Sequence, residues 1–179
     1  MHVAAAPRGT GRGRGVVQPM IEQIRVNVAA YAVARGDAVI STLGLGSCVA
    51  IAVHDRGAAV GGLAHILLPS ESMSRDRGNR AKFPGTAVPL LLEEMRKLGA
   101  TGPFTAKLAG GASMFGALLP TGGVNMGERN VDAVRRALVA AGIGIAAQDT
   151  GGDYGRSVFL HVRDGRLVVR SLNRGEHVL

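Results

Sequence analysis

The sequence has few aromatic residues and a single cysteine. Aromatic residues make up 3% of its 179 residues, and tryptophan is absent. A buried core must therefore be built from Ala, Val, Leu, Ile and Met, a composition that suits helices packed closely on a sheet. One cysteine cannot form an internal disulfide, so we expect Cys48 to be a free thiol in a reducing compartment, and we expect a cytoplasmic protein.

Long apolar runs are also lacking. The strongest ones, residues 86–92 and 137–147, are too short or too interrupted by glycine to span a bilayer, which takes about 20 residues. Residues 1–20 contain no apolar segment of the kind found in signal peptides. We therefore expect no insertion into a membrane.

Acidic residues are outnumbered by basic ones, and the formal net charge is +8. Arg8, Arg12 and Arg14 lie in a glycine-rich segment; without them, 18 basic residues stand against 13 acidic ones, a formal +5 from residue 21 onward. These other basic residues are scattered, and two tyrosines and four phenylalanines are too few for a platform that stacks bases. We expect residues 1–20 to be a disordered tail, residues 21–179 to be one domain, and nucleic acid not to be a partner.

Hydrophobic patterns predict a mixture of strands and helices. A helix is expected from Thr86, as its N-cap, to Gly99, and a second one over 127–142. Residues 70–83 are polar without a period and predict an exposed loop. Strands are predicted in 24–37, in the first part of 37–47, and in 48–55, 60–69, 104–112, 143–152, 157–162 and 166–172. Two hairpins interrupt any regular βαβ order, so we predict an α+β layered sandwich with a mixed, largely antiparallel sheet and two main helices.

The hairpin of residues 48–55 and 60–69 brings two reactive side chains together. If residues 55–58 form the turn, Cys48 directly faces His65, with Cβ atoms about 4.5 to 5.5 Å apart. A thiol beside an imidazole is a minimal activated nucleophile, because an imidazolium stabilises the thiolate and the imidazole can later protonate a leaving amine. A lone cysteine and a histidine on an apolar strand are equally familiar as inert core residues. Spacing alone leaves both interpretations open.

The segment before Cys48 supplies further groups that such a site needs. Gly44 and Gly46 permit backbone conformations in which N–H groups point at a developing oxyanion. Thr42 and Ser47 carry hydroxyls, one of which can orient the imidazole. One cysteine and dispersed histidines show no ligand spacing for a metal, so no metal site is expected.

Two other segments are rich in glycine, residues 110–116 and 149–156. Neither has the lysine of a phosphate-binding loop, so we interpret both as tight turns that pack closely or line a pocket. Asp149, like Glu128 and Arg129, is expected to be a surface charge.

Six segments, in this order, resemble the CheD family of chemoreceptor glutamine deamidases. They are TLGLGSCVAIAVHD, GGLAHILLP, TAVPLLLEEMRKLGA, AKLAGGASMF, MGERNVDAV and DTGGDYGRSV. The resemblance implies a layered α/β fold and an enzyme without a cofactor that converts receptor glutamines to glutamates and releases ammonia. It implies Cys48 as nucleophile, His65 as general base and Thr42 as the residue that positions the site. Chemoreceptors are the implied substrates, and a CheC-type phosphatase is an implied second partner.

The chain departs from the family pattern at Phe83, Gly85 and Ser113, all outside the three implied catalytic positions. Two other functions remain to be separated from deamidation. One is a non-catalytic adaptor that binds receptor and phosphatase, and the other is a general thiol protease or amidase.

Overall fold

The computed structural model describes residues 21–113 and 125–179, and the tail predicted for residues 1–20 lies outside them. The described residues form ten strands and two α-helices, with a 3₁₀ turn at Glu71–Met73. The elements are β1 (Glu22–Arg25), β2 (Tyr31–Arg35), β3 (Ala38–Leu45), β4 (Val49–Asp55), β5 (Val60–Ile66), α1 (Pro84–Lys97), β6 (Phe104–Gly110), α2 (Met126–Ala140), β7 (Gly144–Thr150), β8 (Arg156–His161), β9 (Leu167–Ser171) and β10 (Gly175–Val178).

The strands form two five-stranded sheets rather than one. The central sheet has the order β2-β5-β4-β6-β7, and the outer sheet has the order β1-β3-β8-β9-β10. The β1/β3 and β6/β7 pairs are parallel, and the other pairs are antiparallel. This confirms an α+β sandwich with mixed, largely antiparallel pairing and two main helices. Neither helix of the described residues is long and apolar enough to cross a membrane.

Two hydrophobic clusters hold three layers together. One lies between the helices and the central sheet and includes Ile51, Leu91 and Leu108; the other lies between the sheets and includes Ile40 and Leu160. The central sheet is therefore covered on both faces, and all seven residues of β4 and of β5 are buried. This strand pair positions Cys48 and His65 at the interface of the two sheets.

Helix α1 begins at Pro84 with Phe83 as its N-cap, three residues before the predicted N-cap Thr86. Proline is well suited to the first helical position, because the N–H it lacks would have no partner inside the helix. Thr86 is not the cap; its hydroxyl donates to the carbonyl of Arg80 at 2.7 Å. Helix α2 lies where it was predicted, with the side chain of Asn125 capping its N-terminus.

The register of the β4/β5 hairpin differs from the prediction. Ala50, not Cys48, directly faces His65, and Asp55 faces Val60. Asp55 ends the strand because its carboxylate accepts the N–H of Ala58 at 3.0 Å, which places the turn at residues 56–59. The shift amounts to two residues along the strand. Since side chains alternate with a period of two, Cys48 and His65 still belong to the same face of the sheet.

Candidate active site

Three elements bring the predicted catalytic side chains to the interface between the sheets. Thr42 lies on β3 of the outer sheet, His65 on β5 of the central sheet, and Cys48 immediately before β4. Thr42 and His65 are buried, and Cys48 is partly buried against the cluster between the sheets. The sequence-predicted trio therefore lies on one side of the central sheet, at the edge where the β3–β4 loop reaches the surface.

The hydroxyl of Thr42 determines which nitrogen of His65 carries the proton. Its Oγ1 lies 2.8 Å from the carbonyl oxygen of Val26 and 2.7 Å from Nδ1 of His65. A hydroxyl has one proton to donate, and the buried carbonyl of Val26 can only accept it. Nδ1 of His65 must then carry a proton and donate to Oγ1. Neutral His65 is thus held in the tautomer whose Nε2 has a free lone pair.

Nε2 of His65 is buried, and none of the described residues forms a hydrogen bond with it. The thiol of Cys48 is therefore not hydrogen-bonded to the imidazole in this structure. Catalytic hydrogen bonds are often long before substrate binds and tighten only in the substrate complex. Ala50 lies directly opposite His65, and Cys48 precedes Ala50 by two positions. Cys48 therefore occupies the position diagonal to His65.

Burial favours the uncharged forms of the Cys48 thiol and the His65 imidazole. It lowers the pKa of His65 to about 4. It also raises the pKa of Cys48, against a smaller opposite effect of that residue's own backbone N–H. The thiolate–imidazolium pair expected from the sequence is therefore not the resting form at neutral pH. The site instead holds a thiol beside a neutral imidazole that is ready to accept its proton.

Alkylation of Cys48 should reveal this resting form. Because its pKa is raised, we expect the rate with iodoacetamide at pH 7 to be below that of an unhindered thiol and to increase until the pH exceeds the ordinary value of about 8.5. Stopped-flow or mass-spectrometric labelling from pH 5 to 10 measures this profile, and denatured protein is the control. A rate that is already at its plateau at pH 6 would mean that the resting protein holds a thiolate.

The backbone around Cys48 is fixed by one of the glycine-rich segments. The N–H of Gly111 donates to the carbonyl of Cys48 at 2.7 Å, and the N–H of Ala112 donates to that of Gly46 at 2.8 Å. A Cβ atom at Gly110 would collide with the carbonyl oxygen of Cys48, so only glycine allows this approach. The close packing predicted for this segment is confirmed at residues 110 and 111; residues 114–116 lie outside the described residues.

Loop residues 46–48, which we call the nucleophile loop after the role that the sequence predicts for Cys48, present unused backbone donors. Among residues 21–113 and 125–179, no acceptor is found for the N–H groups of Gly46, Ser47 and Cys48. The N–H of Gly44 is not free in the same way, because it lies 3.4 Å from Oγ of Ser157. Gly44 has a φ of 71° and lies where the β3/β8 register shifts. N–H groups free to bind an anionic oxygen therefore lie in the nucleophile loop, and Gly44 makes the bend that leads into it.

Asp149 is not the surface charge that the sequence suggested. Its carboxylate pairs with the fully buried guanidinium of Arg156 at 2.6 Å and accepts from the hydroxyl of Tyr154 at 2.8 Å. Arg156 also donates to the carbonyl of Gly151, whose N–H reaches the carbonyl of Gly110 at 2.9 Å. This buried ion pair holds the second glycine-rich segment against the one that supports Cys48.

Comparisons with known proteins agree on one family. A family model described as "CheD chemotactic sensory transduction" matches residues 67–171. A protein of Caldanaerobacter subterraneus subsp. tengcongensis, named "Probable chemoreceptor glutamine deamidase CheD", is 43% identical over 153 residues, which cover 85% of this chain and 94% of that protein. "Chemoreceptor glutamine deamidase CheD" of Thermotoga maritima is 44% identical over 154 residues, 86% of this chain and 94% of its own length. An alignment that covers 85% of a 179-residue chain must include residues 42–65, which contain Thr42, Cys48 and His65.

Proposed function

The chain belongs to the CheD family, and we propose that it hydrolyses the side-chain amide of selected chemoreceptor glutamines to glutamate and ammonia, with Cys48 as nucleophile. The names of its relatives support the reaction and the substrate. The observation that carries the catalytic assignment is the buried, unbonded Nε2 of His65, held in its basic tautomer by Thr42 at 2.7 Å. This base lies on the same face as the one cysteine of the sequence.

In the first half of the proposed reaction, sulfur attacks the amide carbon of the glutamine side chain. His65 accepts the thiol proton at Nε2 as the carbon–sulfur bond forms, so a thiolate need not exist beforehand. The amide oxygen gains negative charge, which N–H groups of the nucleophile loop stabilise. His65 then delivers its proton to the amide nitrogen, the carbon–nitrogen bond breaks, and ammonia leaves. A thioester between Cys48 and the glutamyl side chain remains.

In the second half, water replaces ammonia. His65 removes a proton from the water as its oxygen attacks the thioester carbon, and the same N–H groups hold the second oxyanion. Collapse breaks the carbon–sulfur bond, and the proton on His65 returns to sulfur. The products are a glutamate side chain and the original thiol, and protein groups alone supply the chemistry.

The proposal also covers the cellular location of the protein and its binding partners. A cytoplasmic location fits the lone thiol, which the mechanism requires in its reduced form. Chemoreceptors are the proposed substrates. A CheC-type phosphatase is a proposed second partner, for which family resemblance is the support.

The direct test is a reconstituted reaction with purified chemoreceptor fragments. We expect ammonia release and, by peptide mass spectrometry, the small mass increase that accompanies conversion of a glutamine amide to a carboxylate. Receptor fragments should otherwise remain intact. Backbone cleavage would indicate a thiol protease, and receptor binding without any change in mass would indicate an adaptor.

Thr42→Val should lower kcat without abolishing it. Valine has the shape of threonine but removes the oxygen that accepts from Nδ1 of His65, so the ring loses both its preferred tautomer and its fixed orientation. We expect a loss of about 10²-fold, less than for loss of the base itself. Thr42→Ser retains the hydroxyl and should recover most of the rate. Equal rates for the valine variant and the wild type, measured by ammonia release, would show that Thr42 does not position His65.

A further inference from the structure

Asn130 lies outside the trio but contacts the backbone of the nucleophile loop. It projects from α2 and has an exposed fraction of 0%. Its Nδ2 donates to the carbonyl of Ser47 at 2.8 Å and to the carbonyl of Leu67 at 3.2 Å. Both neighbours are acceptors, so the amide must present its NH₂ group to them. One side chain thus joins the residue before Cys48 to the segment that follows His65.

The Ser47 contact fixes the direction of a neighbouring donor. The carbonyl of Ser47 and the N–H of Cys48 belong to one planar trans peptide, in which the two groups point in opposite directions. Because Asn130 draws the carbonyl toward α2, the N–H of Cys48 points away from that helix. Helix α2 covers one face of the central sheet, and the catalytic trio lies on the other.

The N–H of Cys48 also belongs to the residue whose sulfur would bond to the substrate carbon. Among the described residues this N–H has no acceptor. An oxyanion formed on a carbon bonded to that sulfur would lie within its reach.

We propose that Asn130 is a positioning residue: it holds the Ser47–Cys48 peptide in the orientation in which the N–H of Cys48 donates to the oxyanion. This inference rests on the proposed function. It adds that the N–H of Cys48 is an oxyanion donor and that the side chain of Asn130 fixes its direction. Without the two contacts from Asn130, the peptide is free to rotate, and the donor is lost when the tetrahedral intermediate forms.

Asn130→Leu, similar in size but without donors, tests the proposal. We expect kcat for a receptor fragment to fall about 10²- to 10³-fold, the usual effect of losing one oxyanion donor, with KM changed less than about threefold. The alkylation rate of Cys48 with iodoacetamide should stay within about twofold of wild type, since that displacement builds no oxyanion. An unchanged kcat, or a parallel fall of kcat and the alkylation rate, would overturn the proposal.

A matched control separates positioning from the stability of α2. Val134 lies one turn further along the helix and is fully buried in the cluster between helices and central sheet, and its apolar side chain cannot hydrogen-bond to the loop backbone. Val134→Ala should lower Tm, yet keep kcat near the wild-type value. If Asn130→Leu and Val134→Ala lower Tm equally and have the same kcat, Asn130 has only a structural role.

Asn130→Asp keeps the proposal testable even if the leucine variant does not fold. Burial should raise the pKa of the new carboxyl, whose neutral form can still donate to one carbonyl, whereas its ionised form repels both. The variant should therefore lose kcat as the pH rises through that pKa, while wild type does not. Parallel pH profiles would overturn the proposal. If Cys48→Ala retains deamidation, the proposed function itself fails, whatever the Asn130 variants show.

Discussion

Cys48→Ala should abolish glutamine deamidation while the folded protein and its affinity for receptor are retained. The substitution removes the atom that bonds to the substrate carbon, so no other group can form the thioester, and we expect kcat to fall by at least about 10⁴-fold. Cys48 precedes β4 and is only partly buried, so the loss of its sulfur should cost about 1 kcal/mol of unfolding free energy or less. Ammonia release and receptor mass spectrometry measure activity, and thermal unfolding measures stability.

The same variant separates an enzyme from an adaptor. An adaptor acts through binding, which Cys48→Ala leaves in place, so cells that carry the variant would then show normal receptor glutamates and normal chemotaxis. The proposed enzyme predicts receptors that keep their glutamines. Normal conversion in those cells would reject Cys48 as the nucleophile and favour the binding function.

His65→Gln should produce the second largest loss. Glutamine can still contact Thr42 through its amide but cannot accept a proton at neutral pH, so neither the attack of the thiol nor the departure of ammonia is assisted. General acid–base assistance is worth about 10² to 10⁴-fold, and His65 acts in both halves of the reaction, so we expect kcat to fall by about 10³-fold or more.

His54 offers a matched control for this substitution. It is a second buried histidine of the same hairpin, 8% exposed, and its Nε2 lies 2.8 Å from the carbonyl oxygen of Val162. His54→Gln should lower Tm but leave kcat within about threefold of wild type at temperatures well below unfolding. Comparable losses of kcat in the two variants would mean that His65 contributes packing and not proton transfer.

The hairpin pattern predicted the Cys48–His65 pair for a reason that tolerates error, whereas Thr42 was implied by the family resemblance. The turn was placed incorrectly, and the register moved by two residues, yet Cys48 and His65 remained on one face because an even shift preserves the alternation of a strand. A turn one residue longer or shorter would have shifted the pairing by one residue and placed the two side chains on opposite faces. The local pattern did not predict the position of the turn. Asp55 determines that position through its contact with the N–H of Ala58.

The supporting residues had no local signal. Asn130 is 83 positions away from Ser47, and nothing in an amphipathic helical pattern distinguishes a buried asparagine that bonds to a distant carbonyl from a tolerated polar residue. Asp149 looks like a solvated charge in the sequence, but packing of the glycine-rich segments pairs it with Arg156 and buries that guanidinium completely. Such contacts depend on how the layers assemble, which periodicity does not encode. The one available hint was that Asn130 lies inside MGERNVDAV, a segment through which the family is recognised.

Trapping of the acyl intermediate tests the central claim most directly. Hydroxylamine competes with water for a thioester, so deamidation of a receptor fragment in its presence should convert part of the target glutamine to the corresponding hydroxamate, identified by peptide mass spectrometry. We predict that the hydroxamate fraction increases with hydroxylamine concentration in the wild-type protein and that Cys48→Ala yields neither hydroxamate nor glutamate. Glutamate as the sole product at every hydroxylamine concentration, or hydroxamate formed by Cys48→Ala, would contradict a thioester on Cys48.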